Sequence, residues 1–281
     1  MKIQFLGTAA AEAQPGLFCD CPTCTYARQH GGKDVRTRSQ SLIDDALLLD
    51  FSADTMDHCI RFGMNLSTIS HCLITHSHSD HLYLNDLSMR MPDFSNMGED
   101  RAFHLYGSEG VMQETAQRLE QASGENAAKY VKCHGIPLYE AVPVGDYMVT
   151  SFKALHGNRD DFRFYMIENK EGKRLLYAHD TDYFEEEVWE YFEKNKPYFS
   201  FVSLDCTEAN LPWMHYTGHM NLANNKKVKD RLIEIGCADE NTLFCCNHFS
   251  HNGIDVLYDP FSKLAEEQGF ITSYDGLTVE F

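Results

Sequence analysis

Along the chain, short runs rich in Val, Ile, Leu, Phe and Tyr alternate with polar turns, a pattern of many brief strands rather than a few long helices. The runs predict strands at Lys2–Leu6, Ser41–Asp44, Ala46–Asp50, Thr68–Thr75, Phe103–Tyr106, Tyr147–Leu155, Phe162–Glu168, Arg174–Ala178, Ser200–Leu204, Thr242–Cys246 and Leu277–Glu280. Helices are predicted at Asp54–Phe62, Glu109–Ala122, Tyr183–Glu193 and Leu222–Ile235. The third is amphipathic: Phe184, Val188, Tyr191 and Phe192 share one face, opposite Glu185, Glu186 and Glu187. The strands fall into two halves, each with helices interleaved. This order predicts an α/β fold of two sheets packed face to face with helices outside, a four-layer αβ/βα sandwich. With no Pro/Gly/Ser linker, low-complexity tract or fixed repeat, residues 1–281 read as a single domain.

Charge narrows the partners. The formal net charge is −18, from 42 acidic against 24 basic residues. Such a field repels polyanions at long range, so a nucleic-acid partner is not expected. A small phosphate ester stays open, because bound cations can reverse the local sign in a pocket. No apolar run reaches membrane-spanning length, and Met1 to Gly7 read as a strand rather than a secretory leader. A cytoplasmic location away from membranes is the expectation. Seven of the ten cysteines (Cys59, Cys72, Cys133, Cys206, Cys237, Cys245 and Cys246) lack ligand spacing and read as reduced, packed thiols.

Candidate chemistry concentrates after the apolar run Ile69–Ile74. Residues 75–81 read Thr-His-Ser-His-Ser-Asp-His, followed by a helical-looking Leu82–Arg90. Three imidazoles and a carboxylate so close make no core, but around one or two divalent cations they form a coordination shell. On an extended segment His76, His78 and Asp80 would project to one side while His81 begins a turn away. Further ligands are expected where strands end and loops begin, and His156, Asp180 and His248 each stand at such a place. A second grouping, Cys19, Cys21 and Cys24, forms C-x-C-x2-C in a loop beside Pro22. Three neighbouring thiols in a reduced compartment read as zinc ligands, with His251 as the natural fourth. That would be a closed structural site, a zinc-binding loop at residues 19–24.

The order of these ligands resembles the metallo-β-lactamase superfamily of metal-dependent hydrolases. The resemblance implies that His76, His78 and His156 hold one metal, Asp80, His81 and His248 the other, and that Asp180 bridges them. Asp50 would be the carboxylate that orients ligand histidines. Within the superfamily, the thiol triad, Asp180-Thr181, Asp205-Cys206, His219 with Asn221-Leu222, and His248 through His251 are similar to phosphoribosyl 1,2-cyclic phosphate phosphodiesterases of the PhnP type. That resemblance implies a binuclear phosphodiesterase of small diesters, a ribose cyclic phosphate being one candidate. Two active-site ions (manganese, zinc or iron) would share a hydroxide, beside one structural zinc. His219 would be the general acid with Asp205 tuning it, and Asp80 counts among the catalytic residues as well as the ligands. The same ligands leave open a lactonase or β-lactamase-like hydrolase, or a non-catalytic metal-binding protein like those of pyrroloquinoline-quinone biosynthesis B. His215, Trp213 and Tyr216 are expected to shape the pocket, and a homodimer is expected from the family habit. His30, His58, His71, His104 and His134 read as surface or packed residues, and His179 as turned away from the metals.

Overall fold

The computed structural model describes residues 1–212 and 218–281. Trp213, His215 and Tyr216 lie outside the described residues. In chain order the first six strands are β1 (Lys2–Gly7), β2 (Gln40–Ile43), β3 (Leu47–Leu49), β4 (His71–Leu73), β5 (Phe103–Gly107) and β6 (Val131–Gly135). Then follow β7 (Ala141–Val144), β8 (Tyr147–Lys153), β9 (Arg163–Glu168), β10 (Arg174–Ala178), β11 (Phe201–Asp205), β12 (Leu243–Asn247), β13 (Ile271–Thr272) and β14 (Thr278–Glu280). They build two seven-stranded sheets, β14-β1-β2-β3-β4-β5-β6 and β13-β12-β11-β10-β9-β8-β7. In each sheet one half is parallel, β3 through β6 and β10 through β13, and the rest antiparallel.

Alternation explains the layering. Ile3, Phe5, Ile43, Leu47, Leu49 and Leu73 from one sheet meet Val149, Tyr165, Ile167, Leu175, Tyr177 and Phe201 from the other in a shared interior. The opposite faces are apolar too, so each needs a helical cover. On the first sheet, Leu48, Cys72, Ile74 and Leu105 pack with residues of α2 (Thr55–Phe62) and α4 (Glu109–Ser123). On the second, Phe152, Phe164, Leu176, Val202 and Phe244 pack with α6 (Glu186–Asn195), α7 (Leu222–Glu234) and α8 (Tyr258–Glu267). The expected four-layer αβ/βα sandwich is the fold observed. Among the described residues no helix is long and apolar enough to cross a membrane.

Several elements differ from expectation. The strand expected over Thr68–Thr75 is only β4, because Ser70 and Ile74 bond across to β5 as single links instead. The segment after it is a turn, closed by His81 N–H to His78 O at 3.0 Å, so His76 to His81 do not alternate as on an extended strand. The helix expected over Leu82–Arg90 is split into α3 (Leu84–Leu87) and a 3-10 turn at Ser88–Arg90. Strands β6, β7 and β13, and helices α1 (Pro22–His30), α5 (Ala127–Tyr130) and α8, are further elements that the apolar pattern did not anticipate.

Candidate metal centre

The site forms where the parallel strands end. Asp50 follows β3, His76 lies three residues beyond β4, Asp180 two beyond β10, Asp205 ends β11, and His248 follows β12. Carboxyl ends of parallel strands are where open α/β sheets place ligands, because loops there diverge around exposed backbone. His156 comes from the same edge, three residues after β8, which runs in the same direction as β10. Asp50, Asp180 and His248 all hold left-handed backbone, with φ of 64°, 50° and 64°. Such values cost a non-glycine residue energy and turn the chain sharply at each strand end.

Two ligand groups result. His76 Nε2 lies 2.9 Å from His78 Nδ1, and His156 Nε2 lies 3.3 Å from the same atom. Asp80, His81 and His248 form the second group, with His81 Nε2 3.2 Å from Asp80 Oδ2 and 3.3 Å from His248 Nε2. Asp180 stands between them. Its Oδ1 is 3.6 Å from His156 Nε2, and its Oδ2 is 2.7 Å from His81 Nε2 and 2.9 Å from His248 Nε2. These last contacts lack hydrogen-bond alignment although the oxygen is buried. Carboxylate and imidazole atoms converging in this way fit the first shell of divalent cations.

Four of the five ligand histidines are held by their other nitrogen. His81 Nδ1 donates to Asp50 Oδ2 at 2.7 Å, and Asp50 also accepts from Thr75 N–H and Oγ1–H at 2.8 and 2.9 Å. His76 Nδ1 lies 3.0 Å from Thr75 Oγ1, His156 Nδ1 3.1 Å from Gly218 O, and His248 Nδ1 2.8 Å from Thr207 Oγ1. Such partners fix ring orientation before any ion binds. Burial and the neighbouring His81 hold His76 well below its ordinary pKa. Burial likewise opposes charge on His81, but Asp180, Asp50 and Asp80 outweigh it and raise its pKa well above the ordinary value. The Asp80 and Asp180 carboxyls are also buried, yet adjacent imidazoles keep both ionised, with pKa values below the usual range.

His219 closes one side. Its Nδ1 lies 3.0 Å from Asp205 Oδ2, a carboxylate that also accepts from the N–H groups of Asp180, Thr207 and Met220, each at 3.0 Å. Desolvation disfavours the imidazolium, but Asp205 and Asp180 prevail and push its pKa up to about 9. His179 turns away, 2.7 Å from Ser203 Oγ, and burial drops its pKa to about 3.

The thiols converge as well. Cys19, Cys21, Cys24 and His251 bring their ligand atoms within 4.8 Å of one another. His251 Nδ1 is 3.7 Å from both Cys19 and Cys21 Sγ, close to the roughly 3.6 Å that tetrahedral zinc bond lengths imply. The triad is not wholly in a loop, since Cys21 caps α1, Pro22 opens it and Cys24 lies inside it. Burial works against the Cys21 thiolate, but the Cys24 N–H and the adjoining sulfurs outweigh it and lower its pKa. Deeper burial pushes Cys24 up to about 12.

A family model for the β-lactamase superfamily domain matches residues 47–233. The chain belongs to the β-lactamase superfamily. Over 125 residues it is 31% identical to coenzyme PQQ synthesis protein B of Methylobacterium radiotolerans, a match covering 40% of this chain and 38% of that protein. The chain thus matches well under half the length of that relative. Among solved structures, a diphosphatase from the PhnP family superposes with a TM-score of 0.73 at 19% identity, covering 100% of this chain and 98% of the other. The Zn(2+)-bound PqqB from Methylobacterium extorquens gives 0.74 at 20% identity with both chains fully covered. Human tRNase Z, short form, gives 0.66 at 15%, covering 100% and 99%. At these identities the likeness shows the metallo-β-lactamase fold, which within the superfamily serves metal-dependent hydrolases.

Both metal groups and His219 open onto one cleft of about 460 Å³, within the range of small-molecule sites. It is also lined by Glu12, Thr207, Ser250 and Asn252, none of which the sequence singled out. Thr207, two residues past Asp205 at a strand end, was legible in principle. Glu12, in an alanine-rich loop, had no such signal.

Proposed function

We propose that the chain, acting as one hydrolase domain, is a binuclear metal-dependent phosphodiesterase of small diesters, with ribose cyclic phosphates the leading candidates. The observation that carries this reading is the His219–Asp205 pair at the edge of the cleft that holds both ligand groups. His76, His78 and His156 would hold one ion, Asp80, His81 and His248 the other, and Asp180 both; manganese, zinc and iron all suit this donor set. When bound, the two ions supply an activated water and neutralise the charge that builds on the diester. Cys19, Cys21, Cys24 and His251 would hold a third, structural zinc that fastens the amino-terminal loop beside the cleft.

The chain's own residues supply the proton. Asp205 holds Nδ1–H of His219, leaving Nε2–H to face the cleft and donate to the departing oxygen. An ester with a stabilised leaving group, such as p-nitrophenolate, has less need of that proton. His219→Gln is therefore expected to lower kcat on an alkyl or ribose diester by about 10²- to 10⁴-fold, and far less on bis(p-nitrophenyl) phosphate. Equal losses on both would remove His219 from the acid role. Metal-loaded protein inert toward every diester but active on lactones would replace this reading with the carbonyl hydrolase. The likeness to PQQ synthesis protein B favours a second, non-catalytic reading, which predicts zinc at the thiol cluster alone. A cytoplasmic setting and a homodimer complete the proposal.

A further inference from the structure

We infer that Glu12 is a specificity residue of the cleft, accepting a hydrogen bond from a free hydroxyl on the organic part of the substrate; this rests on the phosphodiesterase reading above. Glu12 belongs to the loop after β1, and its carboxylate is fixed at one end only. Oε1 accepts from Ser250 Oγ–H and, at 3.4 Å, from Asn252 Nδ2–H, both in the loop that follows His248. The same oxygen is 4.0 Å from His251 Nε2. Oε2 has no such partner among the described residues, and the side chain lies on the wall of the cleft with about a third of its surface exposed.

A carboxylate oxygen can only accept, so the group that meets it must donate. Among the described residues none of those lining the cleft is a lysine or arginine, and the imidazolium of His219 is already held by Asp205. The phosphoryl end of a diester is repelled by Glu12 and drawn to the ligand groups. That leaves the organic end opposite Glu12, where Ser250 and Asn252 add neutral hydroxyl and amide groups. Such a wall matches a polyol, whose O–H groups satisfy the carboxylate, and it rejects an ester that would bury Oε2 against methyl or aryl carbon.

Glu12→Gln separates this role from a structural one. The amide oxygen keeps both Ser250 and Asn252 as donors, while the cleft-facing acceptor becomes a donor. Metal-loaded wild type and variant would be compared on a furanose cyclic phosphate with free hydroxyls and on its O-methylated counterpart, after matching melting temperature and metal content. The expected result is a fall in kcat/KM of about 10- to 100-fold on the hydroxylated ester, with the methylated ester within about twofold. Glu12→Asp, which draws the carboxylate back by one methylene, should show a smaller loss with the same selectivity. Equal falls on both esters, or no change on either, overturn the assignment of Glu12 while leaving the phosphodiesterase intact. A wild type inert toward both esters and toward bis(p-nitrophenyl) phosphate overturns the phosphodiesterase and this inference together.

Discussion

His58 shows what a single buried imidazole can do outside the site. Its Nδ1 donates to Gln40 Oε1 at 2.6 Å, its Nε2 lies 2.7 Å from Thr37 Oγ1, and Gln40 in turn donates to Asp50 O at 2.9 Å. The ring therefore props the strand end that aims Asp50 at His81. Sequence spacing gave it only a packed or surface reading, because these partners come from separate segments. Burial lowers its pKa to about 4 against an ordinary 6.5. The unfolded chain then takes up a proton between those values while the folded chain does not, so the contribution is intact above pH 6.5 and lost as pH falls toward 4. The loss approaches roughly 3 kcal/mol at the acid end. Urea denaturation of His58→Gln should show a pH slope shallower than wild type by about one proton across that window. Parallel slopes would mean that His58 titrates normally in the folded protein.

At the level of elements, legibility followed how locally each element is specified. Strands β8 through β12 were anticipated because each is buried on both faces or pairs with a central neighbour, giving dense apolar runs. Edge strand β7 reads Ala-Val-Pro-Val, and its proline and exposed positions hid it. Helix α1 was hidden differently: Cys21-Pro22 is a helix start, but only Cys24 and Ala27 of the helix are buried, so no apolar stripe marks it. The ligands themselves were legible as strand-end His and Asp residues. Glu12 was not, since its partners Ser250 and Asn252 reach it only through the packing of the loop after β12 against the first loop. Helix α7, which follows His219, offers a test of element-level support. Asn221 caps it, Oδ1 accepting from Asn224 N–H at 2.8 Å while Nδ2 reaches Leu211 O at the same distance. Asn221→Ala is expected to cost about 1 kcal/mol in chemical denaturation. Removing the second bond also unties Leu211 from the helix start two residues after His219, so kcat should fall more than stability alone explains.

For the whole molecule, the loop at 248–251 joins two centres, since His248 belongs to one ligand group and His251 to the other. Elemental analysis of the purified protein is expected to give about three metal ions per chain, and about two for Cys24→Ser, whose melting temperature should drop as the amino-terminal loop is released. One ion in the wild type would leave only the structural zinc. The acidic surface, at a formal −18, makes the approach of an anionic ester unfavourable at long range, so rising ionic strength should help rather than hinder capture. The left-handed turns at Asp50, Asp180 and His248 add a different kind of tension. Glycine would occupy each more comfortably, so at three positions that aim the chemistry, the substitution easiest on the backbone is also the one that erases it. The sandwich can therefore outlive its reaction. A descendant released from turnover would drift toward a quieter, sturdier protein of the same shape, and those three strand ends are where its retirement would first be written.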